Sequence, residues 1–468
     1  MKIKAPLAIL IALILLICPF TCAFANSAQT YWQGTAASGA ILAEKDCPIT
    51  VEHELLTFDI NDFPPNYYRA DDFSYTGKVT AEYTFRNPAD YTVTATLAFP
   101  FGTYPSYIPQ NYNEDDEEYS DTHRYGVTVN GINIESNLRH TYIDGAYSNA
   151  DLKKIGNEYI EGNFYKADTP VTKYTFTVSG ITKEPHNSAY ASFSLTADPA
   201  ETRTIMLPNS GYDYHDGKKS ATAGVWVENG DEIVIYAIGK PYKSAPAFTV
   251  YYSGAEEEIT DGSVELTSTE TMTYEQLVFT EYEEDRGVSK VDWFNAMVCM
   301  HESIGAEASL IFDFHAPLNL SRDSLMRWYI YEITLAPGQT LTNAVTVPIY
   351  PDIDGNYEPS VYAYEYLLSP AATWKSFGSL DIAINTPYYI IESGFENTEK
   401  TENGYKLSFD SLPEGELEFK LCASQAPEEI KSAYFLPIEM IISFSVIAAV
   451  VAVIAVTAVL IIRKRKKQ

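Results

Sequence analysis

Asp352-Ile353-Asp354-Gly355-Asn356 sets three oxygen-bearing side chains at alternate positions, the spacing by which a calcium loop folds around its ion. Asp352, Asp354 and Asn356 are therefore the expected metal ligands, and Ca²⁺ the expected ion. The match is partial: Tyr357 stands where such a loop needs a glycine, and no glutamate stands at the twelfth position to complete the cage. An ordinary Asp-Gly turn between strands accounts for the same residues. The acidic run from Asn113 to Glu118 with Asp121 has charge enough for a cation but no defined spacing, and reads as a solvated loop. No serine has a lysine three positions on, and neither G-x-S-x-G nor H-E-x-x-H occurs. The 7 histidines are scattered, with no paired spacing that would set two imidazoles on one metal; His215 in YDYHDG and His301 on the expected helix stand near carboxylates in sequence. Catalytic residues are accordingly expected to be none. The 36 tyrosines cluster at Tyr67-Tyr68, Tyr251-Tyr252, Tyr362 to Tyr366 and Tyr388-Tyr389. Such clusters either offer flat aromatic platforms to sugars and proteins or serve as half-buried strand residues.

The elements that carry these residues lie between two apolar runs. Lys2 and Lys4, the run Leu7 to Ile17 and Ala23-Phe24-Ala25 have the order of a cleavable signal peptide, residues 1–25. Near the other end, Ile441 to Ile462 carries no charge and at 1.5 Å per residue reaches about 33 Å as a helix, enough for a bilayer core. Residues 438–462 are expected to be a transmembrane helix and 463–468 a basic cytoplasmic tail, since Lys and Arg stay on the cytoplasmic side. The expected place is the cell membrane, single-pass, with the N-terminal part outside.

Setting aside both ends leaves 63 Asp plus Glu against 25 Lys plus Arg, a formal charge of about −38. That surface repels nucleic acid and anionic lipid, so nucleic-acid binding is excluded. Cys47, Cys299 and Cys422 are too widely spread for a disulfide scaffold or a zinc site. A hydrophobic share of 46% with 13% aromatics is ample for a folded core.

Between residues 48 and 272 apolar and polar residues alternate, as in TVEHELLTFDI, KVTAEYTFRN and YTVTATLAFP, which predicts consecutive antiparallel strands. Asn87-Pro88-Ala89-Asp90 turns the chain between the last two, and Asn130-Gly131 is a two-residue hairpin signal. The stretch 106–123 reads as an acidic surface loop. VSKVDWFNAMVCMHES has helical spacing at Val291, Phe294, Met297, Val298 and His301, with Ser289 as its cap. The expected fold class is mainly β: two or three antiparallel β-sandwich domains, a short helical connector and one C-terminal transmembrane helix. The division is 26–272 for the first domain, 273–303 for the connector and 304–430 for a membrane-proximal domain.

The strands of Val79 to Tyr107, with Asn87-Pro88 and Phe99-Pro100-Phe101-Gly102, followed by the Tyr125 to Glu135 hairpin, resemble the opening of the vault and inter-α-trypsin β-domain. They and the segment Tyr362 to Asn385, with Trp374 before Phe377-Gly378, also resemble uncharacterised bacterial exported β-proteins of the domain-of-unknown-function type. The resemblance implies an extracellular β-sandwich and carries over no catalytic residue. The expected function is a cell-surface, membrane-anchored binding or interaction protein, with a protein or glycan partner. The alternative is an envelope hydrolase whose carboxylates converge in the fold, as glycoside hydrolysis requires.

Overall fold

A computed structural model describes residues 37–38, 41–42, 47–65, 75–105, 107–108, 126–143, 155–182, 188–208, 211–215, 220–252, 260–283, 287–305, 310–311, 318, 320 and 324–430. The signal peptide at 1–25, nearly all of the loop at 106–123, the apolar run at 438–462 and the tail at 463–468 lie outside them. Among the described residues no helix is long and apolar enough to cross a membrane.

The chain is mainly β, in several sheets. An eight-stranded sheet runs in the order Glu399–Lys400, Gly404–Phe409, Phe377–Asn385, Thr50–Asp59, Lys78–Arg86, Thr340–Pro348, Gly126–Val129, Ile132–Asn133. Two sheets lie across its inner face. One orders Ala37–Ser38, Val361–Leu367, Leu417–Cys422 and Tyr389–Ser393, with Asp352–Asp354 also paired to Val361–Leu367. The other orders Ile41–Leu42, Val93–Pro100, Leu325–Leu335 and Asn137–Tyr142. Alternation decides which side chains meet between the layers, because successive residues of a strand point to opposite faces. Val79, Ala81, Tyr83 and Phe85 are all fully buried and share one core with Leu97, Phe99, Tyr331 and Phe419 of the facing sheets. Phe58 sets its edge against Tyr366 and Phe419, with ring centroids 5.8 and 5.3 Å away.

Asn87-Pro88-Ala89-Asp90 does turn the chain, but from one layer to the other: Lys78–Arg86 belongs to the eight-stranded sheet and Val93–Pro100 to a facing one. Leu325–Leu335 and Thr340–Pro348 make the same crossing alongside, through Pro337-Gly338. The buried Asn87 ties the two arches together, its amide donating to the carbonyls of Tyr91, Leu335 and Ala336. The hairpin at Asn130-Gly131 is as expected, with φ of 49° and 74°, the left-handed pair that a two-residue turn needs.

Residues 155–320 form a second unit inserted in this frame. Asn137–Tyr142 leads into it and Leu325–Leu335 leads out, and these two strands are paired, with the Ile143 N–H donating to the Ser324 carbonyl at 3.2 Å. Inside, a five-stranded sheet orders Ser263–Thr273, Pro170–Ser179, Glu232–Gly239, Thr202–Leu207 and Leu310–Ile311. A four-stranded sheet orders Gly211–His215, Ser220–Glu228, Ser188–Thr196 and Phe248–Tyr251. The strand EIVIYAIG is apolar at both parities because both its faces are covered. Ile233, Ile235 and Ala237 face the four-stranded sheet, while Tyr236 and Ile238 face helices α1 (Tyr274–Val278) and α2 (Lys290–Gly305).

Three expectations are thereby corrected. The division into 26–272 and 304–430 fails, because Thr50–Asp59 and Lys78–Arg86 pair with Phe377–Asn385 and Thr340–Pro348. Alternation locates strands but does not name their partners. The sheets are not purely antiparallel, since Thr50–Asp59 runs parallel to Phe377–Asn385, which a connection spanning most of the chain permits. The helical stretch 273–303 is not a linking connector but an interior element. Helix α2 is buried without a break from Asp292 to Val298, wedged between the insert's five-stranded sheet and the frame strand Asn137–Tyr142. Its start is the expected one, with the Asp292 N–H donating to Ser289 Oγ at 3.1 Å.

Candidate functional site

Asp352 and Asp354 stand two residues apart on the short strand Asp352–Asp354, so both carboxylates leave the same outer face, while Ile353 between them packs into the frame core. Strand pairing continues the row outward through Ala363 and Lys420 to Glu392. Together with Asn356 they line an open depression of about 390 Å³. The expected ligands therefore do come together, but two of them, Asp354 and Asn356, are bonded to each other. Asp354 Oδ1 accepts from the Asn356 backbone N–H at 3.0 Å and from its side-chain amide at 2.8 Å, which is a side-chain-closed turn. Lys420 Nζ donates to Glu392 at 2.7 Å in the same depression, and this hydrogen bond holds the ammonium above its usual range, with Asp354 and Tyr357 adding to the effect. A protein-borne cation is thus already set among these carboxylates. Among the described residues no group of three or more His, Cys, Asp or Glu side chains is placed to hold a metal. Next to this row, removal from water and the charges of Glu418, Glu416 and Asp352 push the Glu365 carboxyl up.

The aromatic clusters divide by strand parity. Tyr362, Tyr364 and Tyr366 point inward and are buried. Tyr388 and Tyr362 stack on either side of Phe63, with centroids 3.9 and 3.8 Å away, and the Tyr252 hydroxyl donates to Asp261 at 2.9 Å. Tyr67 and Tyr68 lie outside the described residues. Tyr251 is different, because it faces outward on the insert's four-stranded sheet. There Tyr190 is the cross-strand partner of both Tyr251 and Trp226, so three rings form one row across three strands.

Trp226 is the most exposed large aromatic among the insert's described residues, at 49%. Tyr190 meets it edge to face, with centroids 5.4 Å apart and planes at 64°. The Tyr190 ring lies down over Gly224: a Cβ built on that glycine would sit 2.5 Å from the phenol carbon and oxygen. Any larger residue there would prop the ring up. Ser188, Ser194, Ser220, Thr222 and Thr249 set hydroxyls at other outward positions, Ser192 lies buried among them, and Asp213 and Glu228 are the outward carboxylates among the described side chains. The site is a floor and a wall of aromatic surface bordered by small polar groups. Sequence reading singled out Tyr251 but missed Trp226 and Tyr190. The signal was present in AGVWVENG, where Trp226 has the opposite parity to the buried Val225 and Val227.

His301 is fully buried, and its Nδ1 is 2.6 Å from the Tyr274 hydroxyl, which burial pushes far above the usual tyrosine range. The neighbouring Glu302 accepts the backbone N–H groups of Phe164 and Tyr165 at 2.7 and 3.2 Å. His301 and Tyr274 brace the insert's core and do not face solvent.

No family model matches the chain, and no curated protein matches it. Among solved structures, a Legionella pneumophila subsp. pneumophila protein provisionally described as nutrient binding aligns over 84% of this chain and 72% of its own. The identity is 10% and the TM-score 0.31, a level at which neither fold nor ligand transfers.

Proposed function

We propose that this chain is a non-catalytic binding protein of the cell surface, built of two β-sandwich units and held by the apolar run Ile441 to Ile462. The outer face of the insert's four-stranded sheet is its binding surface. The observation that carries the reading is the aromatic corner of Trp226 and Tyr190, set on a rigid sheet and open to solvent. Aromatic side chains supply large contact area at little entropic cost, and an indole left half in water on a flat strand contributes little to the core beneath it. The hydrolase alternative draws no support from the depression at Asp352, where Asp354 and Glu392 are already engaged by Asn356 and Lys420. The test is retention of envelope material on immobilised full-length chain in detergent, comparing the native chain with Trp226→Ala at matched thermal stability. The reading expects the substitution to release what the native chain retains; equal retention by both ends it.

A further inference from the structure

We infer that the insert's aromatic face takes an extended, uncharged polysaccharide, with a sugar ring seated on Tyr190 against the Trp226 wall. The inference rests on the binding role proposed above and names its ligand class. Sugar rings present flat faces of C–H groups and a rim of hydroxyls, so they are held by an aromatic plane beneath and short hydroxyl-bearing side chains around it. The face has both. Tyr190 is laid down by Gly224, Trp226 stands at 64° to it, and the solvent-reaching Ser194, Thr222 and Thr249 share the same side of the sheet.

Length argues for a polymer. Tyr251, Tyr190 and Trp226 occupy adjacent strands, and with strands spaced ~4.8 Å the row spans ~10 Å, about two sugar rings laid end to end. Phe248–Tyr251 is an edge strand of its sheet, so the row runs out to that edge.

Charge argues for neutrality. The protein carries a formal charge of −31, yet the outward positions of these strands bear only Asp213 and Glu228 among residues with described side chains. An anionic polymer meets the repulsive field of the whole molecule. A cationic polymer would find far denser acid elsewhere on the chain. A protein partner would be expected to reach for arginine or for a deep apolar pocket, and this face offers neither.

The experiment uses the full chain in detergent and its co-sedimentation with four insoluble polysaccharides: cellulose, chitin and a β-1,3-glucan as neutral probes, and chitosan as a cationic one. The expected result is retention on at least one neutral probe, about tenfold weaker for Trp226→Ala and intermediate for Trp226→Phe, as loss of a stacking surface predicts. Gly224→Ala, which lifts the Tyr190 ring, weakens retention as well, and unchanged melting of Trp226→Ala shows that the fold is intact. Retention on no neutral probe, retention indifferent to Trp226, or retention on chitosan alone overturns the inference. If Trp226→Ala also fails to release envelope material, the binding role falls with it. If it releases a protein while no polysaccharide is held, the face binds but the ligand class named here is wrong.

Discussion

Glu54 is the residue that folding treats least kindly. It points into the frame core at 1% exposure, beside its cross-strand partner Tyr83 and the facing Tyr366. Burial pushes its pKa from 4.5 up to about 8, with the Tyr83 hydroxyl pulling the other way. The folded chain therefore keeps a proton that the unfolded chain releases, and stability falls as pH rises from 4.5 to 8, by up to about 1.4 kcal/mol per pH unit. Glu54→Gln keeps the shape and removes the titration. Thermal melts are expected to show little difference between the two at pH 5 and a higher Tm for the variant at pH 8; parallel pH profiles would refute this. A second expectation concerns calcium: with Lys420 already among the carboxylates of the depression, millimolar Ca²⁺ against chelator leaves the Tm unchanged, and a rise on adding the ion would restore Asp352, Asp354 and Asn356 as ligands. Asp352 and Asp354 were legible as neighbours because strand parity puts residues two apart on one face. Lys420 was not, because it arrives from a strand more than sixty residues later, through pairing that no local spacing encodes.

A buried ion pair joins helix α2 of the insert to the frame. Arg139 Nε lies 3.0 Å from both Asp292 oxygens and its Nη2 2.7 Å from one, while the His140 N–H donates to the same carboxylate at 3.0 Å. Asp292 is 1% exposed, so it cannot turn to water when its partner is removed. Arg139→Met is expected to cost about 3–5 kcal/mol, the penalty of a stranded buried charge, and to separate denaturant unfolding into two transitions as the insert uncouples. A single unshifted transition would show that the pair does not hold the units together. The helix itself was legible down to its Ser289 cap, because cap and period are local. Its role was hidden, since a helix buried almost all round has no polar stripe to reveal which elements cover it.

For the molecule as a whole, topology makes a direct prediction. With the full chain expressed in cells and a tag placed after Gln468, external protease is expected to remove the frame and insert while the tag stays protected behind the basic run Arg463 to Lys467. A tag accessible to antibody in unpermeabilised cells would reverse the orientation. The β character of the chain was readable from alternation and turn residues, as at Asn130-Gly131. The nesting of one unit inside another was not, because Asn137–Tyr142 and Leu325–Leu335 carry nothing in their own residues that marks them as neighbours.

That nesting also fixes how the molecule carries load. If the insert grips something while the other end is moored, tension enters the frame at Tyr142 and Leu325 together, at the same end of two paired strands. Leu325–Leu335 is in turn bonded along eight residue pairs to Val93–Pro100, so the pull runs lengthwise down a ladder whose rungs are strained in concert. A ladder loaded in that direction shears as a block, whereas one pulled from its edge opens rung by rung. The doorway through which the insert is threaded is thus also where the frame takes up the pull.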